Sequence, residues 1–208
     1  MKCIKGVVLG IVLLSSFSYG LKGFGIGAKG GIHMGDIYGD DTAWDWKYKP
    51  GYAGGLVITQ KIAGFLSGAT EMMYIQKGAQ YKMEIYGQSI TSKLVANYLE
   101  VPMALKFHLP TKSPVVPALI IGPTIAIPIK VAARAESESQ GQVSEIEYPE
   151  EMLQQVELSL FGGLGIDFVL PFGKIMFDAR YIGGATTIFT TDDVKNHGFT
   201  ISFGYTIP

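Results

Sequence analysis

Residues 98–109 read YLEVPMALKFHL. Leu99, Val101, Met103, Leu105, Phe107 and Leu109 fall on one face of an extended chain. Tyr98, Glu100, Pro102, Ala104, Lys106 and His108 fall on the other. A period of two is the repeat of a strand, not of a helix. The apolar face runs for about the length a tilted strand needs to cross a bilayer. The opposite face carries a carboxylate and an ammonium. Apolar outside and ionisable inside is the pattern of a transmembrane β-barrel strand.

The same alternation recurs on both sides of this stretch. Upstream, residues 65–81 form the third expected strand. Leu66, Thr70, Met72 and Tyr74 face out, and Glu71 and Lys77 face in. Residues 51–61 form the second strand, with two faces too similar to orient. Residues 24–34 form the first, with Lys29 and His33 opposite its apolar side. Downstream, residues 115–131 are the fifth strand and carry Pro117, Pro123 and Pro128, each lacking a ladder donor. A bulge or a loosened ladder is expected near Gly122–Pro123. Residues 156–170 place Asp167 inside, residues 174–184 place Asp178 and Arg180 inside, and residues 197–207 complete a set of eight. The connections alternate long and short, with loops expected at 35–50, 82–92, 132–155 and 185–196. A closed, antiparallel, up-and-down, all-β transmembrane barrel of about eight strands follows. Long outer loops, short periplasmic turns and an even strand count put both termini on the periplasmic side.

Composition fits this architecture. Of 208 residues, 48% are hydrophobic but only 17% are charged, with mean hydropathy +0.26. The 27 glycines and 12% aromatics suit many strands and tight turns. A net charge of −1 argues against nucleic-acid binding. At the N-terminus, Lys2 and Lys5 precede and border an apolar run over residues 6–14, and Ser18 and Gly20 have signal-peptidase spacing. Residues 1–20 are therefore expected to be a secretory signal, cleaved after Gly20, with the barrel domain in residues 21–208. Cleavage removes Cys3, the one cysteine. Cys3 lies before the apolar run, so no lipoprotein is expected.

Several segments together resemble the PorT-like family of small outer-membrane β-barrel proteins. GFGIGAKGGIHMG is similar to that family's opening strand, and EMMYIQKGAQY to its third. YLEVPMALKF matches its Tyr-Leu-Glu-hydrophobic-Pro core, IIGPT its Gly-Pro in strand five, and FDARYIGG its seventh strand. The resemblance spans nearly all of residues 22–207 and implies the fold and an outer-membrane location in a Gram-negative bacterium. It implies no particular activity. It also implies that Pro102 and Pro123 are family features. Chains of this family usually end on an aromatic residue read by the barrel-insertion machinery. This chain ends Tyr205-Thr206-Ile207-Pro208, so Tyr205 supplies that signal or the reading is looser.

Alternation sends Lys29, Glu71, Lys77, Glu100, Lys106, Asp167, Asp178 and Arg180 into the barrel. Eight strands enclose just enough room for side chains. Buried charges must pair there, so a plug of ion pairs is expected. Trp44, Trp46, Tyr74, Phe107, Tyr181 and Tyr205 are the expected membrane-interface aromatics. For catalysis, His33, His108 and His197 are the available histidines, but no serine sits in a nucleophile-like motif. No enzymatic role is expected, and no cofactor or metal. The acidic segment 134–157 has no calcium-loop spacing and reads as solvated.

The expected role is structural or surface-interacting, through loops 35–50 and 132–155. The expected partners are outer-membrane lipid, the insertion machinery and a surface ligand, with no nucleic acid and a monomeric state. A narrow porin-like channel or an export accessory is the alternative. A soluble periplasmic lipid-binding barrel is the third reading, and it would need apolar residues facing inward.

Overall fold

The computed structural model describes residues 23–39, 46–85, 88–137, 143–190 and 193–208. The expected signal segment and Trp44 lie outside the described residues. The strands are β1 (Phe24–Tyr38), β2 (Lys47–Lys61), β3 (Leu66–Lys77), β4 (Ala79–Ile85), β5 (Gln88–His108), β6 (Val115–Ser137), β7 (Val143–Glu147), β8 (Glu157–Leu170), β9 (Gly173–Gly184) and β10 (Lys195–Ile207). Every pairing is antiparallel. Hydrogen bonds close a ring in the order β1, β2, β3, β5, β6, β8, β9, β10 and back to β1. This is an eight-stranded up-and-down barrel. Closure leaves no free edge around the wall, which is the condition for a sheet to sit in lipid.

The pleat sorts the side chains. Along β5 and just past its end, Leu99, Leu105, Phe107 and Leu109 are exposed, while Tyr98, Glu100, Pro102, Ala104 and Lys106 are buried. Val101 departs from the alternation and is buried as well. The exposed face continues round the barrel through Ile32, Leu56, Leu119, Leu164, Phe177 and Ile201. Each such side chain left in water forfeits roughly 1.5–3 kcal/mol relative to burial. A continuous band of them is stable only against lipid. On β2, Lys49, Ala53, Val57 and Thr59 are the buried set, which settles the face that sequence leaves open.

Prolines mark where the ladders loosen. The β5–β6 register passes from Pro102↔Thr124 to Leu105↔Ile121 without pairing Gly122 or Pro123, as expected there. The β3–β5 ladder has a matching gap between Thr70↔Met103 and Met73↔Glu100, opposite Pro102. The one register shift in β5–β6 lies elsewhere, between Asn97 and Tyr98, where Asn97 pairs with Lys130 and Tyr98 with Pro128. Gly122 approaches the facing backbone so closely that an added Cβ would lie 1.9 Å from the Met103 carbonyl oxygen.

The expected loops are shorter than sequence indicates. Residues 35–38 continue β1 and 47–50 continue β2. In the segment 82–92, expected as a loop, residues 82–85 belong to β4 and 88–92 to β5, and the two strands pair from Gln80↔Lys93 to Ile85↔Gln88. The described residues of the segment 132–155 also include strands. Its first residues extend β6, which pairs with β7 from Ala132↔Glu147 to Glu136↔Val143. A single 3-10 turn, Glu150–Met152, follows Pro149. Cross-strand ion pairs hold these extensions. Lys93 meets Glu136 at 2.6 Å, and Arg134 meets Glu145 at 2.7 Å. Gly78 is the hinge between β3 and β4. Its φ of +121° is left-handed, and a Cβ there would sit 1.9 Å from the Leu94 carbonyl oxygen, so glycine is required.

Candidate functional site

Two regions stand out: the charged lumen, and a concavity at the end built by the sheet extensions. The lumen follows from the pleat. On β1, β3, β5, β8 and β9, inward positions carry ionisable side chains at successive heights. Bulk water does not solvate them there, so they must satisfy one another.

In one cluster, the Lys29 ammonium donates to Glu71 at 2.9 Å and to Asp178 at 2.5 Å. Arg180 donates to both Glu71 oxygens, at 2.7 and 3.1 Å, and to Asp178 at 2.8 Å. Lys106 donates to Asp167 and Asp178, each at 3.0 Å. Lys174, at the short-turn end, lies 3.3 Å from the second oxygen of Asp167. Asp178 thus gathers three cations, and the network reaches across the lumen from β1 and β3 to β9. The Arg180 guanidinium carbon sits over the Phe161 ring, 4.9 Å from its centre, a cation–π contact.

The second cluster lies toward the extensions. Lys77 pairs with Glu100 at 2.5 Å and sits 5.2 Å from the centre of the Tyr98 ring. Tyr98 donates its hydroxyl hydrogen to Glu157. The Asn196 amide donates to the Tyr98 oxygen at 3.1 Å and to Glu157 at 3.0 Å. His33 shares a 2.9 Å hydrogen bond with Thr200. Lys49 donates to Gln76, which donates in turn to Asn97.

The structure therefore brings Lys29, Glu71, Lys106, Asp167, Asp178 and Arg180 into one network and puts Lys77 and Glu100 in another. All eight are buried. Sequence reading missed Glu157, Tyr98 and Asn196 as members. The signal for Glu157 was present: it shares its parity with Ser159 and Asp167 on β8, but it stands at the edge of an acidic stretch that reads as solvated.

At the short-turn end a cavity of about 400 Å³ is lined by Ser67, His108, Asp167 and Lys174 among others. Ser67 and His108 share a 2.7 Å hydrogen bond. The other ring nitrogen of His108 has no hydrogen-bond partner among the described residues, so the pair lacks the orienting carboxylate of a serine–histidine–acid arrangement. Among the described residues, no group of three His, Cys, Asp or Glu side chains is placed to hold a metal ion.

The aromatics divide into belts. Near the extensions, Tyr181 packs on Phe199 at 4.9 Å, Tyr52 stacks on Tyr74 at 5.8 Å, and Tyr38, Tyr48 and Tyr181 surround His197. At the other end, Phe107 is exposed and Tyr205 donates to the Phe172 carbonyl at 2.9 Å. Trp46 departs from the expected interface position. It packs against the buried apolar cluster at the extension end, edge-on to Tyr81 at 4.8 Å.

That cluster floors the second region. Ile37, Leu94, Leu153, Ile188 and Val194 are buried there, with Trp46, Tyr148 and Phe189 partly covered above them. A cavity of about 340 Å³ opens over it. Outside, the Lys130 ammonium reaches Glu145 at 2.8 Å and Glu147 at 3.3 Å. Its hydrogen bond, with the one from Arg134, holds the Glu145 carboxyl below its usual range. The two carboxylates in turn hold the Lys130 ammonium above its usual range.

The family model described as "Outer membrane protein beta-barrel domain" matches residues 15–190. Among solved structures, Ail, the attachment invasion locus protein of Yersinia pestis, is similar at 16% identity. The match covers 89% of this chain and 99% of that one, with a TM-score of 0.47. Neisserial surface protein A (NspA) is similar at 16% identity over 89% of this chain and 98% of that one, with a TM-score of 0.48. OprG of Pseudomonas aeruginosa is similar at 13% identity over 88% and 95%, with a TM-score of 0.43. No curated protein matches.

Proposed function

The chain belongs to the outer membrane protein beta-barrel domain family, and from that membership we propose that it is a non-conducting anchor in the outer membrane of a Gram-negative bacterium. Its work is to hold the β4–β5 and β6–β7 extensions at the cell surface as an interaction platform. One observation carries this reading. The lumen is filled by ion pairs that bond to one another across it, from Lys29 and Glu71 to Asp178 and Lys106. Such a lumen leaves no apolar chamber for a lipid. Opening a path for solute would require breaking charge pairs whose members are each buried, at about 3–5 kcal/mol for a single lost partner.

The extensions support the surface role. They use paired strands and ion pairs where an anchor alone would need only short loops. The β6–β7 hairpin takes in residues 132–137 and 143–147 of the segment expected as a loop, and the β4–β5 hairpin takes in residues 82–85 and 88–92. The PorT-like motifs favour that subtype within the family, and the N-terminal pattern favours export with cleavage after Gly20. The barrel acts as a monomer, with lipid as its surround.

The test is surface labelling. Val143 is exposed on β7 and lies outside the lining of the concavity. In intact cells, V143C is expected to react with a membrane-impermeant maleimide. A cysteine protected in intact cells but reactive after lysis would contradict the platform reading.

A further inference from the structure

We infer that the concavity over the extension end is a binding site for a small amphiphile with one apolar ring and one anionic group. This rests on the reading of the extensions as a surface platform. Four aromatic side chains, Trp46, Tyr81, Tyr148 and Phe189, line the cavity of about 340 Å³. They make two ring pairs: Trp46 meets Tyr81 edge-on at 4.8 Å, and Tyr148 meets Phe189 at 5.1 Å. The volume lies in the range of small-molecule sites, which are mostly apolar with a few placed polar groups. Partly exposed aromatic rings around an open hollow forfeit burial energy that a ligand ring would recover.

The charge of the lining selects the other end of the ligand. Lys93 and Arg134 belong to the lining, and among the described residues no carboxylate does. Their partners Glu136 and Glu145 are not among the lining residues. The hollow is therefore apolar over its floor, and its wall carries Lys93 with three donor hydrogens and Arg134 with five, of which the bonds to Glu136 and Glu145 use one each. A carboxylate reaching Lys93 and Arg134 gains charge-assisted hydrogen bonds, while the ring takes the aromatic floor. A neutral ligand of the same shape forgoes that gain.

The test uses the full barrel in lipid nanodiscs, with 3-phenylpropionate and its uncharged amide as probes. Binding is read by saturation-transfer NMR against empty discs. The carboxylate is expected to bind saturably and about tenfold more tightly than the amide, as one charge-assisted contact allows. K93Q/R134Q is expected to abolish the preference; because it also removes the ion pairs to Glu136 and Glu145, K93Q/E136Q and R134Q/E145Q, which orphan no carboxylate, are each expected to weaken the preference and leave the amide's affinity in place. W46A is expected to weaken both probes, and W46F to restore them. Heat-modifiability of each variant on a gel checks that the barrel is closed. No saturable binding, equal affinity for the two probes, or unchanged binding by W46A would overturn the inference. V143C labelling separates the two failures. A reactive V143C with no probe binding defeats the site and leaves the platform standing. A protected V143C defeats the platform itself.

Discussion

Arg180 on β9 forms a two-pronged pair with Glu71 on β3, its guanidinium nitrogens 2.7 and 3.1 Å from the two carboxylate oxygens. The two residues are 109 positions apart, and neither strand touches the other in the wall. The bond spans the lumen. It makes the interior part of what holds the barrel closed.

Removing one member leaves an uncompensated buried charge. R180M is expected to destabilise the folded barrel by about 3–5 kcal/mol. E71Q keeps the shape but removes the charge that Lys29 and Arg180 share, and it falls in the same direction. Urea unfolding in detergent micelles, followed by tryptophan fluorescence, measures both. The double variant E71L/R180L is expected to recover part of the loss, since neither charge is then orphaned. Asp178 still needs Lys29 and Lys106, so recovery is incomplete.

Tyr98 tests the second cluster. Y98F deletes a hydroxyl that donates to Glu157 and accepts from Asn196. A hydrogen bond to a charged group is worth about 1.5–3 kcal/mol, and the loss is expected in that range. The denaturation midpoint is expected to fall with its slope unchanged. An unchanged midpoint in Y98F would remove this cluster from the account.

Much of this interior was legible in the sequence, for a simple reason. In a wall one strand thick, parity alone decides which side a residue faces. Lys29, Asp178 and Lys106 could be placed inside from their neighbours on the same strand. Partners were not legible, because parity does not give height or the twist between strands. Glu157 shows the limit: its parity was plain, but its surroundings looked like a solvated acidic segment. The extensions were hidden for a different reason. Their pairs, such as Lys93 with Glu136, replace an apolar face with charges that match only once the register is known. Trp46 looked like a lipid anchor because nothing local shows that its ring meets Tyr81 and the cluster beneath.

Gly78 tests the hinge. Its φ is +121°, and a Cβ added there would lie 1.9 Å from the Leu94 carbonyl oxygen, so G78A cannot be accommodated in place. Backbone strain of this kind costs on the order of 1–3 kcal/mol. The β4–β5 hairpin is expected to lose amide protection in hydrogen exchange. The β1–β10 ladder, which closes the wall elsewhere, is expected to keep its protection.

The outer hairpin is expected to respond to acid. Lys130 and Arg134 hold the Glu145 carboxyl below its usual range. A depressed folded-state pKa adds stability above the unfolded value, and that stability is lost as pH falls through the folded value. The β6–β7 pairing is therefore full at neutral pH and weakens as pH drops below the ordinary carboxylate range. Amide protection of Tyr148, whose N–H donates to the Val131 carbonyl at 2.9 Å, reports it. Protection that is equal on both sides of that range would remove the ion pairs as the cause. Lys130 and Glu145 are solvent-facing in this pairing, so the effect stays local and the barrel transition does not move.

The most direct test of the central claim is conductance. The folded chain, heat-modifiable on a gel, is inserted into a planar lipid bilayer at high salt and held under a voltage step. A lumen filled by the Glu71–Arg180 and Lys106–Asp178 network predicts insertion without current steps. R180M or E71Q is expected to admit small, brief openings as the network loosens. Steady single-channel steps from the unmodified chain would contradict the account and make the lumen a path instead of a plug.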